Sequence, residues 1–357
     1  MTDKEIEENA VRTEKTAPEE PKTAAPSDVS PKVSIFLYAI SALTAVCTAL
    51  WVLAVLFCFE ADIGYFKRGN LLPAGALAVF AAGGCCAAAS FILMPHGGMP
   101  RNTRYPGGLS TAALDFCGFI LLFEAGLRVK DVISGIKAVR ASLALYGDLG
   151  RFAAMRADFA ENRPDRMALI LGAVAVVAGA LAAFYFFARG AGDRLNKNLL
   201  TVFGICLAFR ALCGLGIIYF DLTVAINSPL KLAVEVALIC IMLWTMLEVR
   251  FLLPEGYARP ELYYSFSLLT VLTCVPAGAG VLAASLSHAV SNDRLLVEGA
   301  FCLVIGALAA IRLFLFVSKI RKAAANGDCY EQEKETSGDD DAGDEETAAD
   351  GGEGEES

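Results

Sequence analysis

Apolar residues in this chain come in long unbroken blocks separated by short polar stretches, with no strict alternation and no narrow helical stripe. About 20 apolar residues in a row are what an α-helix needs to cross a hydrocarbon core. By that rule the sequence predicts eight spans, at residues 33–59, 71–94, 109–127, 167–188, 199–220, 229–253, 262–289 and 299–317. The expected fold class is all-α, a polytopic transmembrane helical bundle.

Small residues set the expected helix contacts, because they let backbones approach closely. In the second block Ala74, Ala78 and Ala82 recur every four residues, and the pairs Gly172/Gly179 and Gly299/Gly306 recur every seven. The third block carries Asp115 and Glu124. Nine residues at 100° each place these carboxylates on opposite faces, so they form no acid/base pair, and each is expected to reach toward an interface. Residues 128–166 read as the longest internal connection. Val132, Ile133, Ile136, Val139 and Leu143 fall at helical spacing with Lys130, Lys137 and Arg140 between them. That pattern fits either a helix lying in the membrane interface or a solvated helical linker.

Composition agrees: the chain is 56% hydrophobic with a mean hydropathy of +0.53. The net charge of −9 comes from one place, because residues 323–357 hold 14 acidic residues against one Lys and leave the rest of the chain net positive. Residues 1–32 are polar, mixed in charge and dotted with Pro18, Pro21, Pro26 and Pro31, unlike a cleavable signal. Both ends are expected to be disordered tails flanking a helical domain at 33–322, since neither has the apolar surface to offset its chain entropy. Lys and Arg in the predicted loops number 14 on the N-terminal side against 3 on the other, which places both termini in the cytoplasm. The connection 128–166 runs against this, because it carries eight Lys and Arg on the opposite side.

The candidate chemistry is intramembrane charge. Arg210 lies near the middle of the fifth block, Glu235 in the outer third of the sixth and Arg312 in the inner third of the last. An Arg at a bilayer centre costs about 3 kcal/mol and marks a functional-site candidate. Consecutive antiparallel spans would bring Arg210 and Glu235 within reach of each other, with Lys231, Asp115 and Arg312 as further members of a polar site. A second candidate is the corner leading into the sixth block. Asp221 ends one block, Asn227 favours a turn, and Ser228-Pro229 reads as an N-cap followed by Pro at the first helical position. Pro276-Ala-Gly-Ala-Gly280 is the one candidate helix break. No HExxH, GxSxG or Walker loop occurs, and the two histidines are His96 and His288. With no CxxC or Cys/His spacing among 11 cysteines, neither metal nor cofactor is expected, and no catalytic residue is assigned.

A resemblance adds to this reading. Gly69-Asn-Leu-Leu-Pro-Ala-Gly75, and more closely Tyr219-Phe-Asp-Leu-Thr223, Ile226-Asn-Ser-Pro-Leu-Lys231 and Leu247-Glu-Val-Arg-Phe251, resemble uncharacterised multi-pass membrane proteins of Gram-positive anaerobic (Clostridia-type) bacteria. The resemblance covers the first two spans loosely and residues 195–317 better, while 128–166 and the acidic tail depart from it. It implies a bacterial inner-membrane protein and transfers no catalytic residue. The expected function is a non-enzymatic membrane scaffold or sensor-like component, with small-solute or ion transport through Arg210, Glu235 and the Pro276 break as the alternative. The expected partners are the lipid bilayer and a protein docking on the acidic tail, with no nucleic acid.

Overall fold

The computed structural model describes residues 26–60, 62–94, 99–101, 103, 105, 108–146, 150–192, 196–222, 225, 227–253, 258–289 and 292–326. Most of the two predicted tails, and His96, lie outside the described residues. Nine helices are described: α1 (Pro26–Cys58), α2 (Leu71–Leu93), α3 (Gly108–Leu145), α4 (Arg151–Glu161), α5 (Arg163–Gly190), α6 (Lys197–Phe220), α7 (Pro229–Arg250), α8 (Pro260–Leu286) and α9 (Asp293–Asn326). A two-residue hairpin, β1 (Phe59–Glu60) with β2 (Tyr65–Phe66), joins α1 to α2.

Helix starts follow local chemistry. Asn70, Asn196 and Asn292 each accept a backbone N–H of the following turn through their side-chain oxygen, and α5, α7 and α8 open with Pro in the first two positions. Seven helices are long and apolar enough to cross a membrane: α1, α2 and α5 through α9. α3 is not one of the seven: Glu124, Arg128, Lys130 and Asp131 punctuate its sequence. It runs antiparallel along α5, with Gly118 against Phe187 at one end and Gly135 against Leu169 at the other. The same kind of side-by-side contact sets the whole alternation. Gly216 meets Leu171, Gly204 meets Val249, Gly299 meets Val281 and Gly83 meets Leu272. α1, α3, α6 and α8 therefore run one way, and α2, α5, α7 and α9 the other. The bundle is all-α and polytopic, as its hydropathy predicts.

Three expectations need correction. The helix expected within the connection 128–166 is not a separate element: it is the second half of α3, which runs unbroken for 38 residues, about 57 Å. Hydropathy marks where lipid begins, not where a helix stops. Arg128, counted with the loop charges, is buried inside the bundle. α1 likewise begins at Pro26, within the predicted tail. The row Ala74, Ala78, Ala82 faces outward; α2 packs instead through Ala76, Gly83, Ala87 and Ser90. A four-residue repeat drifts around a 3.6-residue helix, whereas the observed steps of seven, four and three stay on one face.

Pro276 does not break α8, which is helical from Pro260 to Leu286. The glycines after it serve packing. A Cβ on Gly278 would stand 2.6 Å from the carbonyl oxygen of Gly299 and 2.7 Å from Cβ of Leu303, so α8 and α9 meet backbone to backbone. Because backbone cannot swing aside as a side chain can, Gly278→Ala is expected to destabilise by about 1–3 kcal/mol. Gly84→Ala, where an added Cβ meets nothing within 4 Å, is the control. Thermal unfolding of both variants in detergent checks this, and equal midpoints would remove the close contact as a stabilising feature.

Candidate functional site

Arg210, near the middle of α6, emerges between two glycines. Gly179 of α5 lies 3.8 Å from its Cδ, measured from a built Cβ, and a Cβ on Gly214 would stand 2.7 Å from its Nη1 and 2.5 Å from Oε2 of Glu298. Gly214 is one turn beyond Arg210 on the same helix face, and its missing side chain leaves the space that the ion pair fills. The guanidinium donates to Glu298 of α9, with Nη1 to Oε2 at 3.0 Å, and to Glu124 of α3 through Nε at 3.3 Å and through Nη2. Arg128, one turn after Glu124, donates to Glu124 through Nε at 2.7 Å and to Glu298 through Nη2. The ring of Phe301 closes one side, 4.4 Å from Cζ of Arg210. Two carboxylates and two guanidinia thus form a charge-neutral ring joining α3, α6 and α9. Arg210 and Glu298 have no accessible surface at all (0% each), and Glu124 and Arg128 are 7% exposed.

Arg312 belongs to a second cluster, 14 residues and about 21 Å along α9 from Glu298. Fourteen steps of 100° return to nearly the same face, so one helix face carries both clusters. Arg312 donates to Glu248 of α7 through Nη2 and lies over the ring of Tyr105, 5.0 Å from its centroid. Arg189, at the end of α5, approaches the same Glu248 oxygen at 3.6 Å and donates to Thr103 at 2.7 Å. Leu114, Tyr185, Phe186, Leu207 and Trp244 enclose a cavity of about 10 Å³ beside Glu248 and Arg312. That is at the lower limit for a single water.

The Arg210–Glu235 pair expected from adjacent spans is not formed. Glu235 is half-buried on α7, while the acceptors of Arg210 come from α3 and α9. Lys231, one turn earlier, is buried and donates to the backbone carbonyl of Asp221 at 2.9 Å. The carboxylate of Asp221 accepts from Asn292 at 2.8 Å, and Asn292 in turn caps α9. The polar corner therefore exists as a tie from α6 to α7 and α9. Asn227 is an exposed turn residue outside it, and Ser228 occupies the N-cap position without capping through its hydroxyl. Asp115 is half-buried against Gly190, the neighbour of Arg189, and none of the cluster hydrogen bonds described above involves it. Of the candidate residues, then, Arg210 and Arg312 enter buried clusters, Lys231 and Asp221 form the corner, and Glu235, Asp115 and Asn227 lie apart.

Glu124, Arg128, Glu298, Arg189 and Glu248 were missed as site residues. Each sits where hydropathy sees a span end or a loop. One local signal was available, the Arg210/Gly214 spacing on a single helix face, since a glycine one turn from a membrane Arg leaves room for a counter-ion.

A third cluster lies where α3, α4 and α5 meet. Asp158 of α4 accepts from Arg166 through Nε and Nη2, both at 2.7 Å, from Ser142 of α3 at 2.6 Å and from Asn162 at 3.1 Å. The Arg166 hydrogen bonds, helped by Ser142 and Asn162 against the cost of burial, hold the Asp158 carboxyl down to about 2. Tyr146 donates to Glu161 beside it. Comparison of the chain with protein-family models, with curated proteins and with solved structures returned no match, so function rests on this geometry alone.

Proposed function

We propose that this integral membrane protein is a non-enzymatic scaffold or sensor-like component, in which the intramembrane charges tie the helices together. One observation carries the reading: Arg210 and Glu298 are wholly buried against each other and their neighbours, so no water-sized space touches either. A carrier that used Arg210 would need a polar cavity reaching it from one side of the bilayer. The charge-neutral ring and the unbroken α8 favour a fixed bundle. The same reading places the protein in a bacterial cell membrane, as a member of the multi-pass group that its corner sequence resembles. With α3 taken as an eighth crossing, both ends of the described chain fall on one side, and the loop charges favour the cytoplasm for that side. The acidic tail is the surface on which a protein partner docks. A thermal-shift screen of the wild type and Arg210→Met with small charged solutes tests the reading. The expected result is no solute-dependent stabilisation of the wild type. A solute that raises the midpoint of wild type and leaves Arg210→Met unmoved would replace this reading with transport or ligand sensing at Arg210.

A further inference from the structure

Among the described residues α4 is the one amphipathic element outside the bundle, and its exposed face is built unlike a solvated helix. Phe152 is 90% exposed, Met155 57% and Phe159 38%. At 100° per residue the three fall within about 60° of one another, with the exposed Arg151 on one flank of the stripe and the exposed Arg156 on the other. Ala154 and Asp158 are buried and lie between a quarter and a third of a turn away, with Asp158 reaching Ser142 of α3 and Arg166 of α5. The bonds from Asp158 to Ser142, Asn162 and Arg166 lock the rotation of α4 about its axis. The stripe therefore cannot turn inward to hide.

Its height along the bundle matters equally. α4 ends at Glu161 and α5 starts at Arg163, four residues and about 6 Å before the apolar run of α5 begins at Met167. A helix at that height lies at the headgroup layer, where amphipathic helices bury an apolar face about 5–10 Å deep. Two Arg flanking an aromatic stripe can keep their stems along the acyl boundary and their guanidinia at phosphate level.

We infer that α4 is an interfacial anchor, which inserts Phe152, Met155 and Phe159 into the bilayer edge and binds anionic phospholipid headgroups through Arg151 and Arg156. The bilayer is the occupant that the flanking charge and the height of α4 favour over a second protein.

The test uses full-length protein in vesicles, with Phe152→Trp on the stripe and Ala160→Trp on the opposite flank, after subtracting the wild-type emission of Trp51 and Trp244. In anionic phospholipid vesicles, Phe152→Trp is expected to emit blue-shifted light that brominated acyl chains quench, while Ala160→Trp emits red-shifted light quenched by aqueous iodide. The blue shift should weaken in purely zwitterionic vesicles, and Arg151→Gln with Arg156→Gln should abolish that lipid dependence. Iodide quenching of both tryptophans would overturn the anchor, as would a blue-shifted Phe152→Trp insensitive to brominated lipid, which would mean contact with another protein. An identical signal in both vesicle types would overturn the anionic preference.

Discussion

Arg210→Met is expected to destabilise the bundle by about 3–5 kcal/mol, and Glu298→Gln by a similar amount, because each leaves one unmatched charge among groups sealed from water. The ring holds two carboxylates and two guanidinia, so either loss shifts its balance by one charge and neither is favoured. Removing both partners restores neutrality and leaves Glu124 with Arg128. The double variant should then fall short of the sum of the single losses by about 2–3 kcal/mol, the range of coupling seen between contacting residues. Arg210→Met combined with Glu235→Gln gives the contrast, since Glu235 lies outside the ring and the two effects should add. Unfolding in detergent across six proteins, the wild type, the three single variants including Glu235→Gln and the two doubles, measures this. Additive losses for Arg210 and Glu298 would mean that the ring is not an energetic unit.

The helices of this fold were legible because membrane insertion depends on hydropathy summed over about 20 residues, and seven blocks meet that condition unaided. What hydropathy could not show is how the helices are arranged sideways. Pairing Arg210 with Glu235 assumed that sequential spans supply each other's counter-ions. The acceptors come instead from α3 and α9, 86 and 88 residues away. α3 was hard to read for the reason that it matters: the charges that complete the ring lower its hydropathy, so Arg128 looked like the start of a loop. The corner was more readable. Asp221, Pro229 and Lys231 are close in sequence, and a buried Lys at the start of a helix has few acceptors other than the preceding turn. Its tie to Asn292 was not readable, since 71 residues separate Asn292 from Asp221. The amphipathic pattern at 129–143, where charge is dense, belongs to a helix that meets α5 through Val132 and Gly135 and leaves Ile133 and Ile136 exposed. The clearer apolar stripe lies in α4, a helix too short to stand out by length.

At the second cluster the penalties should be unequal, and the inequality is the test. Glu248 serves two guanidinia, accepting from Arg312 and lying 3.6 Å from Arg189. Glu248→Gln removes the one carboxylate that both approach and leaves Arg312, 3% exposed, over the Tyr105 ring without its counter-ion. That loss is expected at the full 3–5 kcal/mol or so of an uncompensated buried charge. Arg312→Met should cost less, because Glu248 keeps Arg189 and a Met chain can fill much of the vacated space. Introducing Arg312→Met into Glu248→Gln should then recover stability, making the double variant more stable than Glu248→Gln alone. Thermal and denaturant unfolding of the three variants in one detergent decides it. If Arg312→Met proves as damaging as Glu248→Gln, Arg189 contributes nothing to Glu248, and the cluster reduces to a single pair joining α7 to α9. If the ordering holds, Glu248 is the shared anchor of α5, α7 and α9, and the two clusters on one face of α9 make that helix the axis through which the bundle is held.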